Sequence, residues 1–162
     1  MKRLICIVLA LFLLSGCGIM GSRVKDPVTF YYIRDDYQKS MEPVIVSEIR
    51  EAAGHTDDLP YLLVLYSMGP SGDGLKSPFP QNIRIIPTEH TEKGVVLSLS
   101  DNLQDMTDAE YTLASACLAL TCMELTDAEQ VTVVSGDRSV TIRPENLITF
   151  ETAHLEQLEE IE

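Results

Sequence analysis

Basic residues are scarce in this sequence of 162 residues, which has 12 Lys and Arg against 25 Asp and Glu. The resulting formal net charge of −13 repels a phosphate backbone, so the composition argues against electrostatically driven binding of nucleic acid. The apolar fraction of 45% and the charged fraction of 23% are ordinary for a globular protein. These values exclude a collagen, a low-complexity chain and a fully disordered chain.

The sequence also lacks an apolar run long enough for a membrane-spanning helix. The run from Leu4 to Leu14 has 11 residues, whereas a spanning helix needs about 17–25. The run follows a basic start at Lys2 and Arg3, and it has the length of the apolar region of a secretory signal peptide. We therefore expect residues 1–16 to be a signal peptide.

The run ends in Leu14-Ser15-Gly16-Cys17, which resembles the lipobox of bacterial lipoproteins. The resemblance implies cleavage between Gly16 and Cys17 and attachment of lipid to the Cys17 sulfur. The alternative is an ordinary signal peptide followed by a chance cysteine. Cleavage removes two basic residues and no acidic residue, so the net charge of −13 becomes −15. We expect acyl chains on Cys17 to hold the protein at the extracytoplasmic face of the cell membrane, with residues 17–27 as a tether.

Few cysteines remain once Cys6 is removed and Cys17 is acylated. Cys117 and Cys122 fall in one predicted helix, where a spacing of five residues makes their side chains diverge by about 140°. Their Cα atoms would lie about 8 Å apart, which is beyond disulfide reach. Because their neighbours are apolar, we interpret both as small buried hydrophobic residues.

The patterns of apolar and turn residues predict one domain over residues 28–149 with the order β-β-α-β-β-α-β-β. This order favours an α+β fold, in which two helices lie on one face of a mostly antiparallel sheet. The second strand could instead be a short helix, but its Val and Ile favour a strand. Residues 150–162 form an acidic tail. The predicted strands are 28–33, 44–50, 82–86, 95–99, 130–135 and 139–142, and the helices are 61–68 and 107–125.

A long loop follows the first predicted helix, over residues 69–80, and it is rich in glycine and proline. Loops of this size are often functional, and apolar side chains flanked by rigid prolines make good interface anchors. We therefore predict an interface loop at Leu75, Pro78, Phe79 and Pro80. The alternative is that Leu75 and Phe79 cover the edge of the core.

The residues that usually carry chemistry are isolated in this sequence. His55, His90 and His154 lie in three separate polar stretches, and none has a second His or Cys at metal-ligand spacing. The nucleophile motif G-x-S-x-G, the phosphate-binding loop and the dinucleotide fingerprint are also missing. We therefore expect no catalytic residue, no cofactor and no metal.

The sequence resembles the GerM-type (GerMN) domain family of spore-former envelope proteins over nearly all of residues 28–142. The family is similar in topology to the ring-building modules of envelope secretion machines, and it is often linked to sporulation or germination. The likeness is carried by Val28–Tyr32; by Leu62-Leu63 through Met68-Gly69-Pro70 and Gly74–Pro80; by Ile83–Ile86 and Gly94–Ser100; and by the small-residue helix that ends near Cys122, Val131–Val133 and Gly136-Asp137.

The resemblance implies a non-enzymatic scaffold or interaction module on the membrane, held by lipid on Cys17. Its partners would be envelope proteins or further copies of the same chain, and its setting would be sporulation or germination complexes. The alternative is a lipoprotein that binds a small ligand or peptidoglycan in a concave pocket lined by Tyr31, Tyr32 or Tyr61.

Overall fold

The computed structural model describes residues 24–39, 42–81, 83–90, 93–100 and 103–146. Cys17, the signal peptide over 1–16 and the acidic tail over 150–162 lie outside the described residues. In the described part, the elements in chain order are β1 (Pro27–Arg34), β2 (Ile45–Glu51), α1 (Leu59–Ser67), β3 (Leu75–Lys76), β4 (Ile85–His90), β5 (Gly94–Leu99), α2 (Asp108–Thr126), β6 (Gln130–Ser135), β7 (Arg138–Ile142) and a short 3-10 helix at Pro144–Asn146.

The strands form two sheets, with the orders β2-β1-β3 and β4-β5-β6-β7. Each pair is antiparallel except β5 with β6, which are parallel. The α+β class and the mostly antiparallel pairing are thus confirmed, but the strands do not join into the single sheet that was expected. On the edge of β1 that faces away from β2, β3 pairs with Ile33 and Arg34, and side chains of both helices meet the backbone of Tyr31.

Two side-chain hydroxyls satisfy the backbone of Tyr31 at the open edge of β1. The backbone N–H of Tyr31 donates to Thr121 Oγ1 of α2 at 2.9 Å, and the backbone carbonyl of Tyr31 accepts from the hydroxyl of Tyr66 of α1 at 3.1 Å. Burial raises the pKa of Tyr66 well above its ordinary value, so this hydroxyl stays protonated and can donate. Hydroxyl groups therefore take the place of a neighbouring strand here.

The core is centred on aromatic side chains that β1 and α1 contribute. Phe30, Tyr32 and Tyr66 are each almost fully buried. The rings of Tyr32 and Tyr66 stack with centroids 5.0 Å apart, and Phe30 meets Tyr66 edge to face at 5.7 Å. Aromatic pairs in these arrangements add to the stabilisation from burial alone, so they fix α1 firmly on one face of β1.

Both helices begin with a side-chain cap. Asp58 accepts from the backbone N–H of Tyr61 at the start of α1. Thr107 and Glu110 form a reciprocal capping box at the start of α2. Cys117 and Cys122 of α2 are free and fully buried, which confirms their interpretation as small core residues.

The predicted strand over 82–86 is displaced along the chain. β4 begins at Ile85, and it continues to His90, beyond the predicted end of the strand at residue 86. It contains Pro87, and its register with β5 shifts between Pro87 and Glu89. A proline is tolerated here because β4 is an edge strand, which does not need every N–H for pairing.

Neither helix in the described segments is both long enough and apolar enough to cross a membrane.

Candidate interaction surface

The loop over residues 69–80 is held at its start by a carboxylate of β2. Glu48 Oε1 accepts hydrogen bonds from the backbone N–H groups of Ser71 at 2.9 Å and Gly72 at 2.7 Å, and from the Ser71 hydroxyl. A Cβ added at Gly72 would lie 3.4 Å from Glu48 Oε1, so glycine permits this close approach. The side chain of Glu48 is only 10% exposed. Three donors to one nearly buried oxygen fix this part of the loop to the sheet.

Arg50, two residues along the same strand, holds the residue where the loop begins. Its Nη1 atom donates to the backbone carbonyl of Gly69 at 3.0 Å. The same Nη1 atom lies 3.7 Å from Glu48 Oε2, a buried oxygen that has no hydrogen-bond partner in the described part of the chain. The neighbouring guanidinium charge offsets part of the desolvation of this carboxylate. β2 therefore supplies both groups that hold residues 69–72.

The second half of the loop is held by strand pairing and by the core. Leu75 and Lys76 form the short strand β3 against the end of β1, within a segment where the sequence predicted only loop. The Phe79 side chain is 5% exposed and belongs to the hydrophobic core, and Pro78 is also buried. Leu75 is half-buried and Pro80 is exposed.

The expectation that the loop exposes Phe79 is therefore wrong. Leu75 and Phe79 pack against or within the core, as the alternative stated. Backbone pairing of β3 with β1 directs the chain back over the core, and burial of an aromatic ring there is strongly favourable. The exposed residues of this part of the loop are instead Lys76, before the buried Pro78-Phe79 pair, and Pro80, after it.

A groove of about 370 Å³ opens between this loop and the start of α2. The loop forms one wall, and the first turns of α2 with the residues before them form the other. Pro80, Met106 and Leu113 give the groove apolar surface, whereas its polar groups include one lysine and two acidic residues. The groove is lined by Ile33, Tyr37, Lys76, Ser77, Pro78, Phe79, Pro80, Asp105, Met106, Glu110 and Leu113.

Charged side chains are fixed in position along this groove. The Lys76 ammonium lies 4.8 Å from the centroid of the Tyr37 ring, which is a cation–π geometry. The Glu110 carboxylate accepts from the backbone N–H and the hydroxyl of Thr107, both at 2.8 Å. These two hydrogen bonds lower the pKa of Glu110. The bond from the Thr107 backbone has the larger effect, and the bond from its hydroxyl the smaller. The groove thus presents a positive and a negative group at set places.

A second cleft, of about 460 Å³, lies on the other side of the loop and is acidic. Asp35, Asp36 and Asp73 line it together with Arg34 and Leu75. Across the described ranges, no group of three or more His, Cys, Asp or Glu residues has a geometry that could hold a metal ion.

The histidines and tyrosines singled out in the sequence are scattered. The His55 ring stacks on that of Tyr61 at 4.1 Å, whereas His90 ends β4 and His154 lies outside the described residues. Tyr31 and Tyr32 are neighbours in a strand, so their side chains point to opposite faces. Tyr32 is fully buried, and its hydroxyl donates to the backbone of α1. Tyr32 therefore lines no open pocket, whereas Tyr31 and Tyr61 are half-buried.

No protein-family model and no curated protein sequence matches the chain. A solved structure of the tandem GerMN domains of the sporulation protein GerM from Bacillus subtilis is similar, with a TM-score of 0.50 and 19% identity. The described domain has a GerMN-type fold. The resemblance that the sequence indicated is thus confirmed for the fold.

The GerMN-type match covers 76% of this chain and 43% of the tandem-domain chain, so this chain spans less than half of that structure. A second solved structure, of a candidate lipoprotein from Clostridium perfringens, has a TM-score of 0.46 and 13% identity. That match covers 74% of this chain and 88% of the other.

Proposed function

We propose that this chain is a lipid-anchored interaction module on the extracytoplasmic face of the membrane, which scaffolds or bridges envelope proteins. The observation that carries the proposal is the fixed loop over 69–80 and the groove that it forms with α2. In this proposal the work is done by protein contacts, with no catalytic residue, and the lipid on Cys17 sets the place of action.

The groove has the anatomy of a protein-binding site. Its apolar surface comes from residues such as Pro80, Met106 and Leu113, and charged groups such as Lys76 and Glu110 surround it. Protein interfaces commonly combine an apolar centre with a polar rim. Because hydrogen bonds, strand pairing and core packing already hold the loop, little conformational entropy is lost when a partner binds.

The GerMN-type fold and the lipobox-like leader together suggest the setting. The similar tandem domains belong to a protein named as a sporulation protein. We therefore place this chain among the membrane-bound complexes of sporulation or germination.

In-cell chemical cross-linking of the native lipidated chain, followed by mass spectrometry, tests the proposal. Leu113→Arg puts a charged side chain into the groove, whereas Thr112→Arg puts the same side chain on an exposed neighbouring position of α2. We expect links from the wild-type chain to envelope proteins or to further copies of itself. Leu113→Arg should reduce these links by about tenfold, because a charge replaces an apolar contact.

The matched control Thr112→Arg should leave the links unchanged, which would assign the loss to the groove. Equal losses in both variants would contradict a role for the groove. If the wild-type chain gives no links under any growth condition, including starvation, the interaction role itself is contradicted.

A further inference from the structure

The wall of the groove that lies opposite the loop consists of residues 103–113, the α2 wall. Its first five residues, 103–107, lie in neither a helix nor a strand, and they contribute Asp105 and Met106 to the groove. A segment of this kind does not have the repeated backbone hydrogen bonds of a regular element. Its position therefore depends on contacts with other parts of the fold.

One arginine supplies several of these contacts. Arg138 lies at the start of β7, and its Nη1 atom donates to the carbonyls of Leu103 at 3.4 Å and Met106 at 3.1 Å. Its Nη2 atom donates to the carbonyl of Thr107 at 3.2 Å and to Asp108 Oδ1 at 3.1 Å. A single guanidinium thus binds three backbone carbonyls of residues 103–107 and the first side chain of α2.

The ring of Tyr111 fixes the same guanidinium from the first turn of α2. The guanidinium carbon of Arg138 lies 4.1 Å from the centroid of this ring, which is a cation–π geometry. The Tyr111 hydroxyl donates to the backbone carbonyl of Val133 in β6 at 3.2 Å. Because β6 pairs with β7, with Ser135 opposite Arg138, both side chains are tied to the same sheet.

These contacts require the shape of an arginine side chain. A guanidinium presents its N–H groups in a fixed plane and stacks on aromatic rings, whereas a lysine ammonium is a compact point charge. Arg138 is not among the residues that line the groove, although Asp105, Met106 and Glu110 are. It can therefore affect the groove only through the segment that it holds.

We propose that Arg138 is a positioning residue for the groove, which holds the α2 wall at the distance from the loop that a bound partner requires. This inference rests on the proposed function and adds to it a residue that does not touch the partner. Glu48 and Arg50 hold the start of the loop from β2, in the three-stranded sheet. Arg138 holds the α2 wall from β7, in the four-stranded sheet. The width of the groove thus depends on contacts from both sheets.

Paired spin labels across the groove measure the position of the α2 wall directly. Gln81 follows the loop and Gln104 lies in the segment over 103–107, and both side chains are exposed. Labels are attached at Gln81→Cys and Gln104→Cys in the full-length chain, since the buried thiols of Cys117 and Cys122 react poorly. Arg138→Lys keeps the charge but removes the planar fork, so the distribution of distances between the labels should become about twofold broader.

The matched control is Arg143→Lys, the same substitution just after the end of β7. The Nε atom of Arg143 donates to the side chain of Gln130 at 3.0 Å, and neither residue lines the groove. This variant should leave the distances unchanged. A residue that only stabilises the fold would lower the free energy of unfolding in urea without changing the distances in the folded chain.

In-cell cross-linking of the native lipidated chain then relates this position to binding. The comparison is made at a temperature where urea denaturation shows that each variant is fully folded. Arg138→Lys should reduce the links that Leu113→Arg reduces, by about tenfold, because the groove is no longer held in the geometry that its partner needs. Arg143→Lys should give the links of the wild-type chain.

Unchanged distances in Arg138→Lys would overturn the proposal, as would an equal broadening in Arg143→Lys. Broader distances with unchanged links would also overturn it, because binding would then not depend on the position of the α2 wall. If the wild-type chain gives no links at all, the proposed function fails, and the distances alone still decide the role of Arg138 in holding the wall.

Discussion

At the scale of single residues, the most consequential contacts join positions that are far apart in the chain. Tyr31 and Thr121 are 90 residues apart, yet the Thr121 hydroxyl accepts the hydrogen bond of the Tyr31 backbone N–H. The sequence predicted that Cys117 and Cys122 are buried, because their neighbours are apolar. It could not predict the role of Thr121, because that role depends on which strand edge the helix meets.

Replacement of Thr121 by valine tests this contact. Thr121→Val keeps the shape of the side chain but leaves the N–H of Tyr31 without its acceptor. We expect the free energy of unfolding to fall by about 1–3 kcal/mol, the usual effect of a buried unsatisfied donor. The control is Thr112→Val on the same helix, whose exposed hydroxyl donates to the backbone of Asp108. Urea denaturation should show a clearly smaller loss for the control, and equal losses would contradict the account.

The raised pKa values of the two buried thiols predict how the stability of the fold depends on pH. Burial raises the pKa of Cys117 to about 12 and that of Cys122 to about 11, from an ordinary value of 9.0. Since the unfolded chain loses these protons first as the pH rises, the stabilising contribution is complete below pH 9 and is lost above it. We expect the free energy of unfolding to fall from pH 9 toward pH 11.

The double variant Cys117→Ala and Cys122→Ala separates the contribution of the thiols to this pH dependence from that of the tyrosines. It removes the two thiols and keeps Tyr66, so its stability should fall less steeply over the same pH range. Urea denaturation at a series of pH values measures both slopes. The same slope for the variant and the wild-type chain would show that the thiols do not contribute.

At the scale of elements, the sequence predicted the helices and strands that are specified by residues close together in the chain. β1, β2, β5, β6, β7 and both helices agree with their predictions to within a few residues, because side-chain periodicity and capping residues specify them. The short strand β3 and the shift of β4 were not predicted. Two residues are too few to show a period, and β3 exists because the end of β1 is available for pairing.

The Glu48 carboxylate holds the start of the loop over residues 69–80 in position. Glu48→Ala removes the acceptor of the Ser71 and Gly72 N–H groups, so these amides should exchange hydrogen at least about tenfold faster. Glu51→Ala is the control, since Glu51 is an exposed residue of the same strand. Hydrogen exchange followed by NMR measures each amide. Unchanged exchange in Glu48→Ala would mean that other contacts hold the loop.

At the scale of the whole molecule, composition and the order of elements predicted the α+β class, and a resemblance predicted the GerMN-type fold. The division into two sheets was not predictable, because it depends on contacts of the β1 edge with residues that are distant in the chain. The groove was predicted only in part. The sequence identified the loop that forms one wall, but it placed Phe79 at the surface, and it gave no sign that α2 forms the other wall.

The central claim is that the groove contacts another protein in the cell envelope. The most direct measurement replaces Tyr37 by a photoreactive benzoylphenylalanine in the full-length chain and identifies adducts after illumination of living cells. Tyr37 lines the groove, and Tyr61, which is also half-exposed but lies on α1, is the matched control. The account predicts defined protein adducts at position 37 and few at position 61. The same adducts at both positions, or none at position 37 under any growth condition, would contradict it.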